Sequence, residues 1–151
     1  MGNIANFQIA NPDGARELIM FVDDDTLVTL LVQRLLTDEG YRVILANNGV
    51  DALEAYKRFQ SEVKLVIVDF KMPGMDGFAL FNELRAINPQ AYVVLTSGIL
   101  EPANLQQMVD AGLRGFIPKP FSQAKLLAAV DSALRHIQDA DPQPRVAPAA
   151  A

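Results

Sequence analysis

The chain of 151 residues contains no cysteine and only one histidine. The absence of cysteine excludes disulfides, zinc–thiolate sites and a thiol nucleophile. The single histidine, His136, lies near the end of the last predicted helix, where a solvated or helix-capping role is more frequent than catalysis. No apolar run reaches the roughly 20 residues that span a bilayer, and residues 1–11 lack the apolar core of a signal peptide. We therefore expect a cytoplasmic protein without membrane insertion.

Positive charge is also scarce. The chain has 13 Lys and Arg residues against 18 Asp and Glu residues, which gives a net charge of −5 and a pI near 4.7. Surfaces that bind the nucleic-acid backbone are usually basic, so this balance argues against direct nucleic-acid binding. The hydrophobic fraction of 50% and the charged fraction of 21% are typical of a globular protein, and the length fits one domain.

Short apolar segments alternate with helical segments along the chain. Strands are predicted at residues 17–22, 42–46, 64–69, 91–96 and 115–118, and helices at about residues 26–39, 50–60, 77–86, 102–111 and 122–138. This alternation predicts a parallel sheet with helices on both faces. Residues 1–15 show no sustained period and are interpreted as a flexible leader. Residues 139–151 are rich in Pro and Ala and are predicted to be a disordered tail, which leaves one domain at residues 16–138.

Residues that can carry chemistry follow the predicted strands. The carboxyl ends of the first, third, fourth and fifth strands should meet along one edge of the sheet. Those ends carry Asp23, Asp24 and Asp25, then Asp69, then Thr96 or Ser97, then Lys119. Clustered carboxylates repel one another unless a cation joins them, and hard oxygen ligands favour Mg²⁺. A lysine and a hydroxyl beside them would complete a phosphoryl site with a carboxylate nucleophile. Ordinary strand-end caps and turns are the alternative.

Over residues 16–138 the sequence resembles the receiver domain of bacterial response regulators, the phosphoproteins of two-component systems. The resemblance rests on five motifs: Val22-Asp23-Asp24-Asp25, Asp69 followed by Met72-Pro73-Gly74-Met75-Asp76-Gly77, Ser97-Gly98, Ala111-Gly112 and Lys119-Pro120-Phe121. It implies a flavodoxin-like α/β fold, a three-layer (βα)5 sandwich with parallel strand order 2-1-3-4-5.

The resemblance also implies a role for each site residue. Asp69 would accept a phosphoryl group from a histidine kinase or a histidine phosphotransfer protein, with Mg²⁺ as cofactor. Asp24 would be the main metal carboxylate, Asp23 an accessory, and the carbonyl of Lys71 a backbone ligand. Lys119 would contact the phosphoryl group and Asp69, and its bond to Pro120 is expected to be cis. Such a chain would be a signalling switch and not an enzyme, since it would catalyse only its own phosphoryl transfer and autodephosphorylation.

The switch hydroxyl is either Thr96 or Ser97. Ser97 is preferred because its separation from Lys119 along the chain is the usual one in the family. Phe116, three residues before the lysine, occupies the aromatic switch position, although plain core packing explains it equally well. The resemblance implies that the fourth helix, fifth strand and last helix form the surface that meets downstream proteins. A homodimer is also possible, and Ile99 is expected to influence the phosphoryl lifetime.

Two other interpretations compete with a phosphorylated receiver. Asp23-Asp24-Asp25-Thr26-Leu27 also resembles the nucleophile loop of haloacid-dehalogenase-like phosphatases, with Asp23 as nucleophile and Asp25 as general acid. That family needs a further acidic pair beyond the lysine, which this chain lacks on a strand. The second is a docking or dimerisation receiver that is never phosphorylated. Whether the chain is a stand-alone regulator, the preferred interpretation, or a receiver from a longer protein stays open.

Overall fold

The computed structural model describes residues 7–98 and 104–139, and within them a six-stranded sheet lies between two layers of helices. The strands are β1 (Ile9–Ala10), β2 (Leu18–Val22), β3 (Arg42–Ala46), β4 (Val63–Asp69), β5 (Val93–Ser97) and β6 (Gly115–Pro118). The helices are α1 (Thr26–Asp38), α2 (Gly49–Phe59), α3 (Gly77–Ile87), α4 (Leu105–Asp110) and α5 (Gln123–Asp139). None of these helices is long and apolar enough to cross a membrane.

The sheet has the strand order β1-β3-β2-β4-β5-β6. Strands β2 to β6 pair in parallel, and in the order of their appearance they form the predicted 2-1-3-4-5 arrangement. The flavodoxin-like α/β fold is thus confirmed. Most predicted boundaries lie within two residues of the observed ones. The start predicted for the fourth helix, at residue 102, lies outside the described residues, as do Ile99 and residues 140–151 of the predicted tail.

The sixth strand, β1, was not predicted. Ile9 and Ala10 pair antiparallel with Ile44 and Val43 of β3, in a region interpreted from the sequence as a leader of little structure. That interpretation is wrong for these two residues. A two-residue strand carries too short a pattern to be recognised, and its hydrogen bonds come from the edge of β3, more than thirty residues away in the sequence.

Two hydrophobic cores lie on opposite faces of the sheet. Alternate residues of β4 enter them: Val66 and Val68 pack with α2 and α3, whereas Leu65 and Ile67 pack with α1 and α5. Because both faces of the central strands are buried, their sequences are continuous apolar runs and not alternating ones. The position of a strand-end residue such as Asp69 is therefore fixed by packing on both sides.

The turn after β4 depends on Gly77. Its amide donates a 2.7 Å hydrogen bond to the carbonyl of Phe70, and it begins α3. The carboxylate of Asp76 caps the helix by accepting a 2.9 Å hydrogen bond from the amide of Ala79. Gly74, with φ of 78°, takes the left-handed conformation that glycine adopts easily. This turn returns the chain close to the end of β4 and fixes the backbone around Asp69.

Gly77→Ala should lower the free energy of unfolding by about 1 to 3 kcal/mol, because an added Cβ has no room. That Cβ would lie 2.7 Å from Cα of Phe70 and 2.8 Å from the carbonyl oxygen of Asp69. Gly98→Ala is the matched control: its Cβ would meet no atom of the described residues within 4 Å. Urea unfolding of both variants measures the difference, and equal stability of the two would contradict the close approach.

Candidate functional site

Three carboxylates converge at the carboxyl edge of the sheet. Asp23 follows β2 and Asp69 ends β4, and oxygen atoms of Asp23, Asp24 and Asp69 lie within 4.8 Å of one another. Asp23 is completely buried and Asp69 is 5% exposed, whereas Asp24 is open to solvent. The predicted convergence of these residues is therefore found. Asp25 has a different role, because its carboxylate caps α1 by accepting hydrogen bonds from the amides of Leu27 and Val28.

Lys119 bridges the two buried carboxylates. Its Nζ lies 2.7 Å from Oδ2 of Asp23 and 3.2 Å from Oδ1 of Asp69. The contact with Asp69 was predicted, but the shorter bond to Asp23 was not. The amide of Lys119 also donates a 2.8 Å hydrogen bond to the carbonyl of Ser97, which holds the segment after β6 against β5. The bond between Lys119 and Pro120 is cis, as expected.

The site holds more negative than positive charge. Burial, and next the charge of Asp23, raise the pKa of Asp69 from 3.8 to about 6, although Lys119 opposes this shift. Burial by itself lowers the pKa of Lys119, but the hydrogen bond to Asp23 and the charge of Asp69 outweigh it, so the net shift is upward. A cluster of carboxylate oxygens with one solvent-exposed member fits a hydrated divalent cation such as Mg²⁺.

Two hydroxyl residues end β5 beside the carboxylates. Thr96 pairs with Asp69 in the register of β4 and β5, so the two side chains leave the same face of the sheet. Ser97 follows Leu95 on the other face, where Leu95 pairs with Phe116 of β6. Both hydroxyl residues are buried, and Phe116 is half-buried against the core that contains Leu95. The sheet thus places Ser97 and Phe116 on one side and Thr96 with Asp69 on the other.

The remaining predicted residue of the site is Lys71. It lies in the turn after β4, two residues beyond Asp69, with an exposed side chain. The role of its carbonyl as a metal ligand stays a prediction. Sequence reasoning missed the direct bond between Lys119 and Asp23, since nothing in the spacing of these residues indicates which carboxylate the ammonium prefers.

The family model described as "Response regulator receiver domain" matches residues 19–131, which is most of the chain. The chain belongs to the response regulator receiver family. It is 33% identical over 125 residues to the chemotaxis protein CheY of Treponema pallidum (strain Nichols), which covers 82% of this chain and 87% of that protein. It is also 36% identical over 116 residues to the sensor kinase CckA of Brucella abortus (strain 2308), covering 77% of this chain but only 12% of that protein.

Solved structures show the same fold. One is the CheX–CheY complex of Borrelia burgdorferi with BeF3 and magnesium, for which the TM-score is 0.75 at 26% sequence identity. The match covers 83% of this chain and 98% of that chain. The family and the fold that the sequence motifs predict are therefore confirmed.

Asp69→Asn should stabilise the protein in EDTA near neutral pH, by about 1 to 3 kcal/mol, because the raised pKa of Asp69 means that its ionised form is disfavoured in the folded state. The gain should shrink as the pH falls through about 6. It should vanish near about pH 4, where the carboxyl becomes protonated in the unfolded chain too. Urea unfolding at several pH values measures it, with the exposed Asp13→Asn as control. A variant no more stable than the wild type would contradict the repulsion.

Lys119→Met should act in the opposite direction and lower the free energy of unfolding by about 2 to 4 kcal/mol, because the buried carboxylate of Asp23 loses its cation. Lys125→Met on the exposed face of α5 is the matched control. Urea unfolding in EDTA compares the two variants. A Lys119→Met protein as stable as the control would mean that the ion pair contributes nothing to the fold.

Proposed function

We propose that Asp69 accepts a phosphoryl group from a histidine kinase or a histidine phosphotransfer protein, in a reaction that requires Mg²⁺, and that this changes a protein-docking surface. The observation that carries the proposal is the meeting of Asp23, Asp24, Asp69 and Lys119 at one edge of the sheet, in a chain of the receiver family. The similarity of this chain to a segment of a sensor kinase supports a role of the chain in signalling by phosphoryl transfer.

The metal would be held by the carboxylates of Asp24, Asp23 and Asp69 and by the carbonyl of Lys71. When bound, it supplies positive charge that neutralises the phosphoryl oxygens. A carboxylate oxygen of Asp69 forms a bond to phosphorus as the bond from phosphorus to the imidazole nitrogen of the donor breaks. The ammonium of Lys119 already contacts Asp69, so it is positioned to stabilise the negative charge of the transferred group.

The response to phosphorylation would pass through Ser97 and Phe116. A phosphoryl group adds nearly two negative charges and three acceptor oxygens. The hydroxyl of Ser97 is expected to move toward these oxygens, and the ring of Phe116 to fill the space that is left, since the two residues lie on the same side of the sheet. Thr96 is the second candidate for the switch hydroxyl, and it would act in place of Ser97. Phosphorylation then selects one of two packings.

The surface that would change is formed by α4, β6 and α5. Phe116 lies in β6, so a movement of its ring alters the part of this surface between the two helices. The solved complex of a CheY with CheX supports a protein partner for a receiver of this fold. A downstream protein is thus the proposed target, with no direct nucleic-acid contact. A homodimer and a cytoplasmic location stay predictions.

The two alternatives have less support. In a phosphatase of the haloacid-dehalogenase type, Asp25 would act as general acid, but its carboxylate is engaged by the amides of α1. A docking module that is never phosphorylated would need none of the acceptor chemistry, yet Asp24, Asp69, Ser97 and Lys119 are all present. The chain is accordingly proposed to be a signalling switch and not an enzyme acting on another substrate.

Incubation with acetyl phosphate should add one phosphoryl group to the wild-type protein when Mg²⁺ is present and none in EDTA. Intact-mass spectrometry measures the gain. Asp69→Ala should show no gain, whereas Asp13→Ala, which removes an exposed carboxylate away from the site, should behave as the wild type. The absence of any gain, or an equal gain in Asp69→Ala, would contradict the proposal and favour the static docking module.

A further inference from the structure

The hydroxyl of Thr96 is a buried polar group that the site described so far does not use. Among residues 7–98 and 104–139, its Oγ1 is the one buried side-chain nitrogen or oxygen atom without a hydrogen-bond partner. The residue is completely buried. Native proteins rarely leave such a group unpaired, because burial without a partner lowers stability. An unpaired hydroxyl at this position therefore calls for a functional explanation.

The register places this hydroxyl next to the phosphoacceptor. Thr96 on β5 is the direct neighbour of Asp69 on β4, and the two continue the rows of Val94 and Ile67 in the core beneath α1 and α5. Neighbouring strands lie about 4.8 Å apart. A hydrogen bond between the two residues requires a χ1 rotamer of Thr96 that turns its hydroxyl, and not its methyl group, toward the carboxylate.

The side chain of Lys119 crosses the end of β5, where Thr96 lies. It follows β6, and Ile117 of β6 pairs with Thr96 on its other side. To reach Oδ1 of Asp69 on β4 at 3.2 Å, the lysine side chain must cross the end of β5, which carries Thr96. Asp69 thus has the ammonium of Lys119 against its Oδ1 and an unpaired hydroxyl on the neighbouring strand.

We propose that Thr96 is a positioning residue for phosphoryl transfer, whose hydroxyl donates to the carboxyl group of Asp69 when Lys119 turns to the phosphoryl oxygens. This inference rests on the proposed function. In the unphosphorylated state Lys119 contacts Oδ1 of Asp69, and the hydroxyl of Thr96 is unpaired. On phosphorylation the ammonium has new oxygens to bind, and the oxygen of Asp69 that is not bonded to phosphorus, which would also hold the metal, keeps a lone pair that can accept a hydrogen bond from Thr96. Ser97 lies on the opposite face, so the two hydroxyls have separate roles.

One substitution at Thr96 should have opposite effects on the stability of the unphosphorylated and the phosphorylated protein. Thr96→Val keeps the shape of the side chain and removes the hydroxyl. Without phosphate it removes an unpaired polar group, so its melting temperature in EDTA should equal or exceed that of the wild type. With the phosphoryl group in place it removes a hydrogen bond, so the phosphorylated state should be destabilised.

Titration with beryllium fluoride and Mg²⁺, followed by calorimetry, tests this on the whole chain. The wild type should bind, Thr96→Val should bind about 10-fold more weakly or worse, and Thr96→Ser should bind as the wild type because it restores the hydroxyl. Thr96→Ala, which also lacks the hydroxyl, should lose affinity as Thr96→Val does. The rescue by serine separates a hydrogen bond from a packing role.

Three outcomes would overturn the inference. Equal affinity of Thr96→Val and the wild type would show that the hydroxyl makes no contact in the phosphorylated state. Equal losses in Thr96→Val and Thr96→Ser would assign the effect to packing. A melting temperature of Thr96→Val in EDTA well below that of the wild type would show that the hydroxyl is already paired. If the wild type itself fails to bind beryllium fluoride with Mg²⁺, the proposed function fails first, and the inference with it.

Discussion

The ammonium of Lys119 sets the electrostatics of the whole edge of the sheet. It lies between two buried carboxylates that belong to different strands, 2.7 Å from Asp23 and 3.2 Å from Asp69. One positive charge cannot neutralise both, and Asp24 adds a third carboxylate nearby. The fold holds these groups together because β2 and β4 are packed on both faces and cannot move apart. The edge is therefore ready to take up further positive charge, and Mg²⁺ can provide it.

The alternation of side chains along β5 places the two hydroxyl residues next to Asp69 on different faces of the sheet, so the proposed phosphorylation of Asp69 would act on two layers of helices. Thr96 lies on the same face of the sheet as Asp69, the face that packs against α1 and α5. Ser97 is on the other face, with Leu95 and Phe116, and leads toward the core that contains Met108 of α4. Adjacent residues at one strand end can thus serve separate purposes, because neighbouring positions of a strand belong to different sides of the sheet. A chemical change at Asp69 can therefore affect the packing on both sides of the sheet.

Much of the site could be predicted from the sequence, because the strand-end residues of a parallel sheet meet at one edge. Apolar runs ending near Asp23 and Asp69, and a lysine after the last strand, were enough to predict that these residues meet at one edge. The contact between Lys119 and Asp69 was implied by the resemblance to receiver domains. The preference of the lysine for Asp23 and the unpaired hydroxyl of Thr96 depend on atomic distances that no spacing reveals. For the fold, too, local sequence patterns predicted most elements but not the contacts between distant segments. Five strands and five helices follow from local periodicity, whereas β1 exists only because β3 offers it hydrogen bonds.

The short strand β1 has a consequence for assembly. It pairs with the outer edge of β3, which would otherwise present free amides and carbonyls to any passing strand. With two residues it is itself too short to serve as a template for further addition. In the described part of the chain, β6 is the edge strand on the opposite side of the sheet. Its outer backbone groups are the ones left to pair with another polypeptide. Strand addition to this sheet is thus disfavoured on the β3 side, where β1 covers Val43 and Ile44, relative to the β6 side, next to Phe116.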